Sequence, residues 1–468
     1  MLRPALATTL LCAFVASATA APEDAGLAGR IDPVVRDMLQ RTHTPATNIL
    51  VVQGGKRVFE KAYGLRDLQD RVPADVGTHY EIGSITKQFT AAAILQLKEA
   101  GKLDLDATLA TYIPGAPHAG EVTLRQLLAQ TSGMPDYFDG PDVDVAAGKP
   151  TSFDTLMARV AGKPLDFTPG TKWAYSNTNY ILLGRVIEVV SHETYHHYIQ
   201  AHLLDPLGLK QTFTLADERR VPDMALGYRR ADGKLSLAPP LDEGFGWAAG
   251  DLISTLTDLE KWSEALAGGK VVTPADYVLM TTEVPIKDGT SGYGFAQFLD
   301  SVDDQPRIGH TGGALGFTSA DEYFPRQDTR IIVFTNLTDD PEPGERFNTG
   351  VFEALFPGIA AAADRPAAGE DAAVTAKARA LFIALQQGTA DSSMLGARLA
   401  AKMQSGLGQR LAGEFAPYGA PTAVIFKGHR TDGGLSWSDY VLKFGPGSSF
   451  KFSIALDDSG KIISMGFG

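Results

Sequence analysis

The sequence predicts a mixed α/β (α+β) chain: an antiparallel sheet built from both ends of a large domain, helices inserted between, and a small α+β domain behind. Three observations support this. Asn48 to Gln53 with Arg57 to Tyr63, and Thr318 to Phe324 with Arg330 to Asn336, read as two strand pairs far apart in the chain. The stretch between, from about Leu103 to Leu266, reads as mostly helical with Pro and Gly breaks. Residues 360–373 (AAAADRPAAGEDAA) read as a linker, after which a helix and alternating strands resume.

Residues 1–20 read as a signal peptide. Arg3 supplies the positive end, Ala5 to Val15 the apolar run, and Ala18-Thr19-Ala20 the small-residue cleavage site. That run is too short to span a bilayer, and no later stretch is long enough to do so. Cleavage after Ala20 implies a periplasmic or secreted protein. The only cysteine, Cys12, lies within the peptide, and Leu11 before it is not the small residue a lipoprotein signal needs. The mature chain is then expected to lack disulfides, a thiol nucleophile and cysteine zinc sites. The expected organisation is a main domain at 21–359, the linker at 360–373 and a small α+β domain at 374–468.

A hydrophobic share of 44% with 21% charged residues suits a chain that buries a core. The net charge of −13 argues against a nucleic-acid or anionic-membrane surface. Gly54-Gly55 joins the first strand pair, and Pro325-Arg326-Gln327-Asp328 turns the second. Between them, Ile85 to Ala100, Thr123 to Ala129 and Asn179 to Val190 read as helices, and Arg346 to Leu355 closes the domain. Beyond the linker, Val374 to Gln387 is an amphipathic helix. Thr422 to Phe426, Tyr440 to Phe444 and Phe450 to Leu456 alternate like strands. The aromatics there are read as core.

Chemistry centres on Ser84-Ile85-Thr86-Lys87. A serine in the first turn of a helix sits at the positive end of the dipole, where negative charge is favoured. A lysine three residues on shares its face and, if desolvated, can lose a proton near neutral pH and activate the serine. Ser448-Ser449-Phe450-Lys451 has the same spacing, but it reads as strand, where positions three apart face opposite ways. Tyr175-Ser176-Asn177 precedes a helix. Its phenol can shuttle a proton and its amide can hold a substrate carbonyl. In His310-Thr311-Gly312-Gly313 the glycines allow a substrate backbone to approach closely. The N–H groups of Ser84 and Gly313 could form an oxyanion hole. His118-Ala119-Gly120 is a decoy of the same form among turn residues.

Together, S-x-x-K, Y-x-N and H-x-G in this order resemble the serine β-lactamase and penicillin-binding family, in its class C β-lactamase, DD-peptidase and esterase branch. The resemblance runs through Glu81 to Thr90, Leu124 to Leu128, Thr131-Ser132-Gly133-Met134-Pro135, Phe167 to Gly170, Pro206 to Leu209, Ala249 to Thr255 and Gly309 to Gly313, or roughly residues 25 to 357. It implies a β-lactamase/transpeptidase-like sheet flanked by helices with an all-helical subdomain, and Ser84 at their junction. By the same resemblance Ser84 is the acylated nucleophile, Lys87 its base and Tyr175 the general base and acid. Asn177, His310, Thr311 and Gly312 would contact substrate. The implied activity is hydrolysis of an amide or ester, on a D-amino-acid peptide or small ester, without cofactor or metal. β-Lactamase activity at the same site and a non-catalytic penicillin-binding-like protein are the alternatives. His310 stands where β-lactamases carry lysine, which suggests a pH-dependent preference for substrates bearing a carboxylate. Gln130 stands where relatives usually carry histidine, and a structural role is expected.

His192-Glu193-Thr194-Tyr195-His196 matches the zinc-protease signature, with His202 at the third position. Ile199 replaces the glycine that turns the chain, so His202 would point away from His196. Solvated surface histidines are the expectation.

Overall fold

The computed structural model describes residues 25–140, 143–231, 234–287, 289–338 and 343–467. The predicted signal peptide and its cleavage site lie outside the described residues.

The chain enters with helix α1 (Ala25–Thr42), which the sequence reading did not anticipate. Strand β1 (Ala46–Gln53) follows, then β2 (Lys56–Asp67) and the short β3 (Val72–Pro73). Helix α2 (Thr86–Glu99) carries Lys87 in its first turn. Helices α3 (Leu124–Leu128), α4 (Asn177–Ser191), α5 (Tyr195–Ile199) and α6 (Glu243–Gly250) belong to the inserted region. The chain then returns to the sheet through β4 (Phe298–Val302), β5 (Gln305–Ala314), β6 (Phe317–Phe324) and β7 (Thr329–Thr335), and closes with α7 (Pro343–Leu355).

Among the described residues these strands form a seven-stranded antiparallel sheet in the order β4-β5-β6-β7-β1-β2-β3. Its two ends meet in the middle, where Ile49 pairs with Val333 and Val51 with Ile331. The apolar run of β1 is explained by burial on both faces. Ile49 and Val51 pack with Ile31, Val35, Phe347 and Val351 of α1 and α7. Leu50 and Val52 face the opposite way, into the large core that holds α2, α3 and α4. The sheet is therefore the middle of three layers, and the inserted helices cover one face of it.

The middle stretch is mostly helical, and it also contains short strands at Phe213–Thr214, Tyr228–Ala231, Lys234–Leu237 and Leu252–Ser254. Strands of two to four residues are too short to show a period. His310 to Gly313 lie within β5, a strand that the sequence reading did not identify because Pro306 and the glycines disguise the pattern, and β6 follows them.

Residues 360–363 of the expected linker extend the helix Pro357–Ala363, and residues 364–371 lie outside helix and strand. Helix α8 (Ala372–Gln386) then packs on a four-stranded antiparallel sheet, β8 (Ala423–Asp432), β9 (Leu435–Gly445), β10 (Ser448–Leu456) and β11 (Ile462–Phe467). This unit has its own core, including Leu381, Phe382, Phe426, Tyr440, Leu442 and Phe452. Lys443 of β9 reaches out of it, to Glu353 of α7 at 2.8 Å, Asp303 in the β4–β5 turn at 3.3 Å and Asp364 at 3.4 Å. The C-terminal unit thereby grips the outer end of the hairpin whose inner end holds His310. Among the described residues no helix is long and apolar enough to cross a membrane.

Candidate active site

The chain approaches α2 through Tyr80–Glu81, and a tight turn at Gly83–Ile85 presents Ser84. Gly83 has φ of +49°, and a Cβ there would lie 2.6 Å from the Gly313 carbonyl oxygen. Gly312 is equally constrained, because a Cβ would meet the Ile82 carbonyl at 2.0 Å. Both glycines thus let the nucleophile turn press against β5. At Gly312, which the sequence reading gave to the substrate, the side-chain direction is filled by the protein's own backbone.

Lys87 is fully buried, at 0% exposure. Its Nζ lies 2.9 Å from Ser84 Oγ, 2.8 Å from Asn177 Oδ1 and 2.7 Å from the Ala249 carbonyl. Asn177 is the first residue of α4 and Ala249 lies in the last turn of α6, so three helices converge on one amine. Burial brings the Lys87 pKa down to about 7, against the opposing charge of Asp136. The S-x-x-K spacing therefore becomes a serine hydroxyl touching a lysine that titrates near neutrality. Ser84 itself is half-buried.

Tyr175 is half-buried beside them. Its ring stacks on Phe298 of β4 at 6.2 Å, and Lys87 Nζ lies 5.0 Å from its centroid. Gln130 sits beneath this motif: its Oε1 accepts from the Ser176 N–H at 3.0 Å and from Asn179 Nδ2 at 2.5 Å. That is the structural role expected of it.

β5 pairs with β4 only from Gln305 to Gly309, so its inner half, His310 to Ala314, has an edge that β4 does not cover. Thr311 is half-buried and Gly313 exposed along that stretch. His310 is different. It is 1% exposed, donates from Nδ1 to the Thr311 carbonyl at 2.5 Å and accepts the Tyr293 hydroxyl on Nε2 at 2.8 Å. Burial, and then the nearby Lys87, push its pKa down to about 3. The expectation that His310 titrates against a substrate carboxylate is corrected: the ring is neutral, sealed in and already partnered on both nitrogens.

A family profile described as Beta-lactamase matches residues 31–356. The chain belongs to this family. Protein flp of Staphylococcus aureus (strain MW2) is 30% identical over 335 residues, 69% of this chain and 66% of that protein. This chain thus spans just under two thirds of that relative. The putative penicillin-binding protein PbpX of Bacillus subtilis (strain 168) is 29% identical over 308 residues, 65% of this chain and 74% of its own length. Among solved structures, a D-stereospecific amidohydrolase from Streptomyces sp. is 27% identical with a TM-score of 0.61, covering 72% of this chain and 99% of that one. The octameric penicillin-binding protein homologue from Pyrococcus abyssi shares the fold at 21% identity and a TM-score of 0.64. It covers 94% of this chain and 98% of its own, so the likeness takes in the C-terminal unit.

The β-lactamase family fold also accounts for the zinc-like motif. His192 ends α4 in a left-handed conformation, with φ of +65°, and His196 lies on the next helix. His196 is half-buried rather than freely solvated: its Nε2 meets the buried carboxylate of Asp251. Burial alone would lower its pKa, but Asp251 raises it overall. His202 instead bonds Glu193 at 3.0 Å. Among the described residues no cluster of three or more His, Cys, Asp or Glu is arranged to hold a metal. The second S-x-x-K lies in β10 as expected, and His118 is tied to Glu121 at 2.7 Å.

Sequence reasoning missed Asp136 and Tyr293. Asp136 accepts from Asn177 Nδ2 at 2.9 Å, and burial raises its pKa while hydrogen bonds from Phe138 and Asn177 oppose the rise. The one signal for it was its place directly after Thr131 to Pro135.

Proposed function

We propose that this chain is an exported serine hydrolase that cleaves amide or ester bonds through an acyl-Ser84 intermediate. The observation that carries this is Lys87 Nζ, buried, 2.9 Å from Ser84 Oγ and with a pKa of about 7. In its neutral form Lys87 takes the Ser84 proton as Oγ bonds to the substrate carbonyl carbon. The oxyanion rests on the N–H groups of Ser84 and Gly313. As the C–N or C–O bond breaks, the Tyr175 phenol protonates the leaving group and recovers a proton from Lys87. Water then attacks the acyl carbon as its proton passes through the Tyr175 phenol to neutral Lys87, and Lys87 returns a proton to Ser84 Oγ as the acyl–Oγ bond breaks. Asn177, Thr311 and the open edge of β5 hold the acyl portion.

The substrate class is a D-amino-acid amide or peptide, or a small ester. The 27%-identical D-stereospecific amidohydrolase supports this choice. The neutral, buried His310 weighs against a carboxylate clamp, and hence against efficient lactam hydrolysis. The test is a panel of D- and L-amino-acid amides, short-chain esters and a penicillin, run with the wild type and Ser84→Ala. Turnover of a D-amide or ester that vanishes in the variant is expected. Turnover that survives in Ser84→Ala contradicts the mechanism, and preference for the penicillin contradicts the substrate class.

A further inference from the structure

We propose that Asp136 is a positioning residue: its carboxylate locks the Asn177 amide with oxygen toward Lys87, which turns the lysine lone pair onto Ser84. The inference rests on the acyl-serine reading and adds a residue to it.

The argument is one of donors and acceptors. An ionised carboxylate only accepts. Asp136 Oδ2 lies 2.9 Å from the Asn177 side chain, so it takes the NH2 end of that amide. Asn177 Oδ1 must then face Lys87, 2.8 Å away. The Ala249 carbonyl, at 2.7 Å, also only accepts. A neutral lysine has two N–H donors and one lone pair. Asn177 and Ala249 use both donors, which leaves the lone pair for the Ser84 hydroxyl at 2.9 Å. Flip the amide, and an N–H of Asn177 would compete with Ser84 for that lone pair. Nothing in the residue type of Asn177 prevents the flip; the acceptor-only neighbour does. Asp136 is itself anchored, since its Oδ1 accepts the Phe138 N–H at 3.0 Å.

Asp136 also acts through charge. The titratable groups around Lys87 are Asp136, Tyr175, Tyr180 and His310. His310 is neutral and Tyr180 is held protonated by burial, so Asp136 is the anion that retains the lysine proton. Around Asp136 itself stand Lys87 and the buried Tyr137, whose pKa burial raises far above the usual phenol value. Loss of the Asp136 charge lets Lys87 release its proton at lower pH.

The experiment measures the second-order rate of labelling by a fluorophosphonate against pH. In that reaction Ser84 Oγ bonds to phosphorus, the P–F bond breaks, fluoride leaves and the proton goes to Lys87. For Asp136→Asn the plateau rate is expected to fall roughly tenfold or more, and the acid limb to move to lower pH. In an Asn177→Ala background the same substitution should leave the plateau unchanged, because there is no amide to flip. Asp136→Glu keeps an acceptor-only anion and should keep the wild-type limb. The limb position is read from the folded fraction alone, so lost stability does not imitate it. An unmoved or upward-moving limb overturns the proposal, as does an equal plateau loss in both backgrounds. Absence of labelling in the wild type overturns the acyl-serine reading itself, and this proposal with it.

Discussion

Lys87→Met separates the function of the buried lysine from its cost. The side chain is fully enclosed, and in the fold its pKa is about 7. An unfolded lysine titrates near 10.4, and the gap is worth roughly 5 kcal/mol. The sign follows from proton counting. Between about pH 7 and about pH 10 the unfolded chain holds a proton that the folded chain has released. Wild-type stability therefore rises with pH across that window, by up to about 1.4 kcal/mol per pH unit. Methionine fills a similar volume and does not titrate. Lys87→Met should lose acylation by roughly a thousandfold yet be the more stable protein at neutral pH. Its advantage should then shrink by roughly 2 to 3 kcal/mol between about pH 7 and about pH 9. Denaturant unfolding of both proteins at the two pH values measures this. A difference that stays constant with pH would mean that Lys87 keeps its proton throughout, and would refute the claim that it serves as the base.

Other outcomes follow from the same geometry. Because His310 is neutral and sealed, the turnover ratio of carboxylate-bearing to uncharged substrates should be flat between about pH 5.5 and about pH 8; a break near pH 6.5 would contradict this. Gly312→Ala drives a methyl into the Ile82 carbonyl, so it should lower the melting temperature, with about 1 to 3 kcal/mol lost, and slow Ser84 labelling. Lys443→Met strands the carboxylates of Asp303 and Glu353, and should destabilise the protein by about 3 kcal/mol in denaturant titration.

The parts of the site visible in the sequence were those set by local spacing. Ser84 and Lys87 are three residues apart on a helix start, and that geometry needs no tertiary knowledge. The doubly buried β1 announced itself through an unbroken apolar run. What stayed hidden depended on distant partners. His310 is held neutral by burial and by the nearby Lys87, 223 positions away, while Tyr293, 17 positions away, hydrogen-bonds its Nε2. His196 found Asp251 across 55 positions and is half-buried against it. The need for glycine at 312 also comes from a distant partner, since a Cβ there would meet the Ile82 carbonyl. Asp136 carries no pattern of its own; it acquires meaning only when α4 delivers Asn177 to it.

The most direct test of the central claim is the intact mass of the protein after exposure to a fluorophosphonate, beside Ser84→Ala. One adduct on the wild type and none on the variant is the predicted result. An unmodified wild type that is demonstrably folded, or an adduct that persists in Ser84→Ala, would contradict an activated serine at position 84.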